Sequence, residues 1–142
     1  MSNPNPPPIE LAGCMVTNDE GHILLVHRTD SGDGQWELPA GRREDDEPLE
    51  VAAARRMYEE LGIDVEILEQ LGATDFEHAG KPYRCHWLRG SVQSGSPTIK
   101  FPELYDDVRY LSRAELETLP NLSENLRVAL ELMPQVTADS PA

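Results

Sequence analysis

Basic residues are scarce in this chain: 12 lysines and arginines face 26 aspartates and glutamates over 142 residues, a formal charge of -14. A surface of that sign repels phosphate backbones, which excludes extended nucleic-acid duplex binding driven by counterion release. A small polyphosphate carried with a metal ion stays compatible with it. Cysteine is nearly absent. Cys14 and Cys85 stand alone with no CxxC or CxxxH spacing, which argues against a zinc site and predicts two reduced packing thiols. No apolar run approaches the length of a membrane span, so no membrane partner is expected. The first residues, MSNPNPPPIE, lack the basic and apolar regions of a signal peptide, so the expected location is the cytoplasm.

What is present has the pattern of one domain, since the chain can bury a single core but not two comfortable ones. Residues 1–8 and 134–142 are proline-rich or small and polar and read as loosely ordered tails around a domain over 9–133. IELAGCMVT and HILLVHR are apolar runs separated by the turn signal NDEG, which predicts a β-hairpin from Ile9 to Arg28. The loop TDSGDG follows, then a short strand at WELP. Pro48 to Leu61 carries helix marks: proline in the first turn, acids before it and Gly62 as the stop. Val51, Ala54, Met57 and Leu61 are expected on its buried face, with Arg56, Glu59 and Glu60 projecting together from the other.

Beyond the helix, IDVEILEQLGATDF and YRCHWLRGSVQ, joined by EHAGKP, predict a long strand pair. DDVRYLS predicts another strand, and RAELETL and SENLRVALELM predict two helices. These elements combine into an α/β (α+β) fold in which a mixed β-sheet is sandwiched between helices. The histidines, His22, His27, His78 and His86, are scattered along predicted strands, as structural or surface residues are.

The spacing around the first helix carries the chemistry. Gly41, Glu47, Arg55, Met57, Glu59, Glu60, Gly62 and Ile63 resemble the Nudix box, G-x5-E-x7-R-E-U-x-E-E-x-G-U with U a bulky aliphatic. One defined position departs: Arg56 stands where that family has glutamate. The strand WELPAG before the box and DDVRYLSRAEL near the end are also similar to Nudix domains, so the resemblance covers most of Ile9 to Met133.

That resemblance implies the Nudix fold and hydrolysis of a pyrophosphate linkage in a small nucleoside diphosphate derivative, such as a nucleotide sugar, an ADP-ribose-like compound or a nucleoside triphosphate. It implies Mg2+ or Mn2+ held by Glu59, Glu60 and the carbonyl of Ala40, since a hard cation with oxygen ligands neutralises the doubly anionic linkage. Gly41, Glu47 and Gly62 are the structural box positions, and Arg55 with Glu47 braces the loop against the helix. Arg56, Arg28 and Trp36 are the expected substrate contacts; Trp36 could equally be packing. Glu103, in FPELYDD, is the expected remote base or extra ligand, with Asp106 and Asp107 behind it. A homodimer is the expected assembly.

Arg56 leaves alternatives open. A guanidinium stays protonated and only donates hydrogen bonds, so it repels a metal and attracts phosphate oxygens. The chain is then a one-metal hydrolase, a diverged isomerase-like or glycosyl hydrolase member, or a regulatory nucleotide-binding Nudix protein without turnover. Of the diverged members, the GDP-mannose hydrolases would place their catalytic histidine at Tyr105, and the isopentenyl diphosphate isomerases their cysteine at Ala40. The same helix also permits ion pairs of Glu59 or Glu60 with Arg55 or Arg56, each contributing a few tenths of a kcal/mol.

Overall fold

The computed structural model describes residues 6–29 and 34–132. Residues 1–5 of the first expected tail, residues 30–33 of the TDSGDG loop, Met133 and the whole of the second expected tail, 134–142, lie outside them. Among the described residues, seven strands and three helices follow in order: β1 (Ile9–Val16), β2 (Ile23–Arg28), β3 (Gln35–Glu37), β4 (Ala40–Arg42), α1 (Leu49–Leu61), β5 (Asp64–His78), β6 (Lys81–Ser94), β7 (Tyr105–Leu111), α2 (Arg113–Thr118) and α3 (Glu124–Leu130).

The strands form two sheets, ordered β4-β1-β6-β5 and β3-β2-β7. The first is mixed, because β1 runs parallel to β6 and antiparallel to β4. The expected hairpin between β1 and β2 is therefore corrected. Both runs are strands, but they belong to different sheets and touch through the bridge Thr17 to Ile23. The turn itself forms, with the Asn18 side-chain oxygen accepting from the Glu20 and His22 amides. The physical reason is burial. Residues Ala12 to Val16 and Ile23 to Val26 are buried without interruption, and such strands satisfy both faces only in a layer covered on each side. β1 finds an eight-residue parallel partner in β6, from Ile9 opposite Tyr83 to Val16 opposite Gly90.

Alternation along the strands divides the core in two. Ala12, Cys14, Val16, Leu24 and Val26 pack with Ala52, Ala53, Met57 and Leu61 of α1. Met15, Ile23, Leu25, Cys85 and Trp87 pack on the opposite side, with Leu116 of α2 and Leu126 and Ala129 of α3. The expected sandwich of strands between helices is present. Both cysteines are buried and free, as expected of packing thiols.

Helix α1 begins after Pro48 and ends where Gly62 takes the left-handed conformation, φ 73°, and donates its amide to Tyr58 O at 2.9 Å. Its buried face differs from the expected one. Val51 is 51% exposed, whereas Ala52, Ala53, Met57, Glu60 and Leu61 are buried. Alanines at 52 and 53 let the helix approach the strands closely.

The β5–β6 pair is the expected long antiparallel hairpin. It closes between His78 and Lys81 on two residues of positive φ, Ala79 at 53° and Gly80 at 77°. Two such residues suit the right-handed twist of the strands they connect.

Candidate active site

The loop from β4 into α1 is held by one carboxylate and one guanidinium. Arg55 donates from Nε to Glu47 Oε2 at 2.7 Å and from Nη2 to Glu47 Oε1 at 2.9 Å. Glu47 Oε1 also accepts the Glu44 amide at 3.0 Å, and the Glu47 carbonyl accepts Arg43 Nε at 2.6 Å. These hydrogen bonds, Arg55 first and the Glu44 amide second, hold the Glu47 carboxyl down to about 2. The same interaction raises Arg55 above its ordinary value. Arg55 Nη1 reaches on to Glu59 Oε1 at 3.0 Å, so loop, helix and the first of the paired glutamates form one chain of contacts.

Gly41 faces α1, and its lack of a side chain has a definite occupant. A Cβ at that position would collide with the Arg56 guanidinium. Arg56 then turns along its own helix and places Nη2 2.9 Å from Glu60 Oε2. Glu60 is not on the solvent side, as the helix periodicity was expected to place it: it is 4% exposed, with Oε1 accepting the Tyr105 hydroxyl at 2.9 Å. Burial raises its carboxyl above the usual range, although Arg56 and Tyr105 pull the other way. Tyr105 is raised as well, by burial and then by Glu60. Glu59 is closer to solvent; its Oε1 lies 3.8 Å from Arg56 Nη1.

Tyr105 stands at the head of β7, directly opposite Arg28 at the end of β2. Arg28 Nη1 pairs with Glu37 Oε2 at 3.1 Å. Arg28, Glu37 and Ala40 line a cleft of about 480 Å³ on the α3 side of the sheets. Its far wall is aromatic, with Phe76 and Tyr83 stacked at 5.2 Å between ring centroids and 8° between planes. Asn125, from α3, contributes a polar group of fixed sense. Trp87 Nε1 donates to Thr74 Oγ1 at 3.0 Å, so the Thr74 proton is donated onward to Asn125 Oδ1 at 2.9 Å. With the oxygen facing Thr74, the amide nitrogen is set on the other side, where it also hydrogen-bonds the buried Cys85 sulfur.

The sequence-chosen residues are thus partly united. Gly41, Glu47, Arg55, Arg56, Glu59, Glu60 and Gly62 lie along one loop and helix, with Ala40 at the junction with the cleft. Glu103 is exposed in the turn before β7, where its carbonyl accepts Thr29 Oγ1 at 2.9 Å. Asp106 is paired with His27, Nδ1 to Oδ1 at 2.6 Å, and Asp107 with Arg109 at 2.8 Å. Trp36 is taken up in packing: His27 tilts against it at 4.9 Å, Arg109 lies 5.7 Å over its ring, and it is not among the cleft-lining residues. Sequence reasoning missed Glu37, Phe76, Tyr83 and Asn125, and met Tyr105 only as a position lacking histidine. Glu60 alone carried a usable signal, since it follows Ala53 and Met57 at helical spacing.

Among the described residues, no three His, Cys, Asp or Glu side chains converge on a point where a metal could be held. Both Glu60 oxygens are engaged by Tyr105 and Arg56. Glu59, half-exposed with one oxygen bonded to Arg55, and the Ala40 carbonyl beside the cleft are the oxygen donors left for an ion that would arrive with a phosphate. Among the described residues, no helix is long and apolar enough to cross a membrane.

The chain matches the NUDIX domain over residues 8–133. The crystal structure of a MutT NUDIX hydrolase from Burkholderia pseudomallei superimposes with a TM-score of 0.79 at 30% identity, covering 91% of this chain and all of that one. A MutT-like protein of Streptomyces ambofaciens is 44% identical over 64 residues, which is 45% of this chain and 40% of that protein. An RNA pyrophosphohydrolase of Wolbachia sp. subsp. Brugia malayi is 44% identical over 52 residues, 37% of this chain and 32% of that protein. Both matches span less than half the length of those curated relatives.

Proposed function

Since the chain belongs to the Nudix family, we propose that it hydrolyses a pyrophosphate linkage in a small nucleoside diphosphate derivative, with Mg2+ or Mn2+ as the cofactor. The observation that carries this reading is the continuity of the box with the cleft. Ala40 lines the cleft, and the next residue, Gly41, lies against the Arg56 guanidinium of the box helix. A ligand with its nucleoside between the Phe76–Tyr83 wall and Asn125 would direct its phosphates toward Arg28 and that helix. The pyrophosphohydrolase name of the Wolbachia relative agrees with the bond type.

In this reading Glu59 and the Ala40 carbonyl hold the ion. When bound, it neutralises the linkage and makes a coordinated water more acidic. Glu47 and Arg55 fix the loop, so the Ala40 carbonyl and Glu59 keep their relative positions. Glu103, an exposed acid in the turn before β7, takes the role of remote base. The Arg28–Glu37 pair orients the phosphates at the cleft mouth.

A screen of nucleotide sugars, ADP-ribose and nucleoside triphosphates, with magnesium or manganese against EDTA and read by phosphate release, tests this. Metal-dependent release from at least one class is expected. A second reading, nucleotide binding without turnover, has one observation in its favour: Arg56 engages Glu60, which the family pattern offers to the metal. No release from any class, together with saturable nucleotide binding, would establish that second reading in place of the first.

A further inference from the structure

The surroundings of Arg56 determine what its charge can do. The guanidinium lies in the space that Gly41 leaves open, and Nε is buried there with no hydrogen-bond partner among the described residues. Nη2 is spent on Glu60, while Nη1 is 3.8 Å from Glu59, beyond hydrogen-bond length. The side chain is 31% exposed, so the group is fixed on one edge and open on the other. A guanidinium has five N–H donors and no accessible neutral form. One bond to Glu60 therefore leaves donors for a second acceptor, and the fork geometry suits two oxygens of a phosphate.

Charge points the same way. Glu47, Glu59 and Glu60 against Arg55 and Arg56 give these five side chains one negative charge, where glutamate at position 56 would give them three; Gly41 to Ile63 as a whole carries seven acids and four arginines. That difference removes much of the repulsion a phosphate meets before any metal arrives. Arg28 adds a second guanidinium from the cleft side.

We propose that Arg56 is a built-in phosphate-binding cation: its guanidinium takes oxygens of the diphosphate directly, so a nucleoside diphosphate binds this site without a divalent ion. The assignment rests on the reading that the cleft receives a nucleoside diphosphate derivative, and it confines the metal to turnover.

The test is calorimetric titration of the full chain in EDTA with ADP, UDP and inorganic pyrophosphate. Saturable metal-free binding is expected, weakened roughly tenfold or more in Arg56→Gln, the loss of one charge-assisted contact. Arg56→Lys should fall between the two, because it keeps the charge and loses the fork. The double variant Arg56→Gln/Glu60→Gln avoids stranding a buried carboxylate and should lose binding as the single variant does. Absence of binding by the wild type at millimolar ligand, or equal binding by folded Arg56→Gln, would overturn the assignment. Phosphate release with magnesium, measured on the same samples, reports separately on the hydrolase reading. Turnover without metal-free binding rejects the role of Arg56 alone, and metal-free binding without turnover rejects hydrolysis alone.

Discussion

Arg55 grips Glu47 through two parallel hydrogen bonds of 2.7 and 2.9 Å, joining the loop after β4 to the middle of α1. The pair makes a pH-dependent contribution whose direction follows from the carboxyl. Glu47 is held down to about 2 in the folded chain, against about 4.3 for an unperturbed glutamate. A depressed carboxyl stabilises the fold fully above the unfolded value and loses that effect as pH falls toward the folded one. Urea unfolding of wild type and Glu47→Gln should therefore differ most above about pH 4.3 and converge near pH 2. A constant difference across that window would show that the bonds do not act through the carboxylate charge.

Tyr105 is the donor that Glu60 cannot replace from solvent. Its hydroxyl sits 2.9 Å from Glu60 Oε1, and both residues are buried. Tyr105→Phe keeps the ring and removes the donor, which should lower stability by about 1.5 to 3 kcal/mol, the range for a hydrogen bond to a charged group. Tyr110→Phe, where no such contact to Glu60 exists among the described residues, is the control. Equal unfolding midpoints for the two variants would mean that Glu60 draws its stability elsewhere.

The helix and the long hairpin were legible in the sequence because their signals are local. Helix signals from Pro48 to Gly62 and a two-residue turn at Ala79 and Gly80 each set their own geometry. The partners of β1 and β2 were not legible. Both are continuous apolar runs without the alternation that marks an exposed face, so nothing near them distinguishes a hairpin from strands in separate sheets. The buried face of α1 was legible but misread: Ala53, Met57 and Glu60 share a stripe, and the charge of Glu60 concealed it. Phe76 and Tyr83 face each other across the β5–β6 hairpin, but Asn125 joins them from a distant element, a juxtaposition created only by the packing of α3 against the sheets.

Gly41 and Arg56 should be energetically coupled. A Cβ at position 41 meets the guanidinium, so Gly41→Ala forces Arg56 aside and weakens its contact with Glu60. The same alanine costs less where the guanidinium is already gone. A double-mutant cycle with Arg56→Ala should give an interaction energy of roughly 0.5 to 3 kcal/mol, with the double variant more stable than additivity requires. Simple additivity would place Arg56 away from Gly41 in solution.

Asn125 is expected to act on the nucleoside and not on the phosphates. Its oxygen accepts from Thr74 and its side chain also hydrogen-bonds the Cys85 sulfur, so the amide is held in one orientation and an N–H not used there favours an acceptor on a base or ribose. Asn125→Ala should weaken binding of a nucleoside diphosphate by about 1 kcal/mol, roughly fivefold, and leave inorganic pyrophosphate unchanged. Titrations with the two ligands side by side check this. A parallel loss for both would mean that Asn125 supports the cleft wall and does not read the ligand.

Arg56→Glu exchanges the two cations that can stand at this position. In the wild type the guanidinium engages Glu60 Oε2, and no three acidic or histidine side chains converge among the described residues. With glutamate at 56 the Glu60 oxygen is released and a third carboxylate joins it on the same helix face. Three close carboxylates repel one another and are relieved by a divalent ion. Manganese should then bind the variant at least tenfold more tightly than the wild type, about 1.4 kcal/mol, without any nucleotide present. Metal-free binding of ADP should fall in the same protein, because attraction for the phosphate has become repulsion. Opposite movements of the two affinities distinguish an exchange of cations from general damage to the site, which would lower both. Manganese affinity unchanged from wild type would mean that Arg56 does not occupy a position a metal could take.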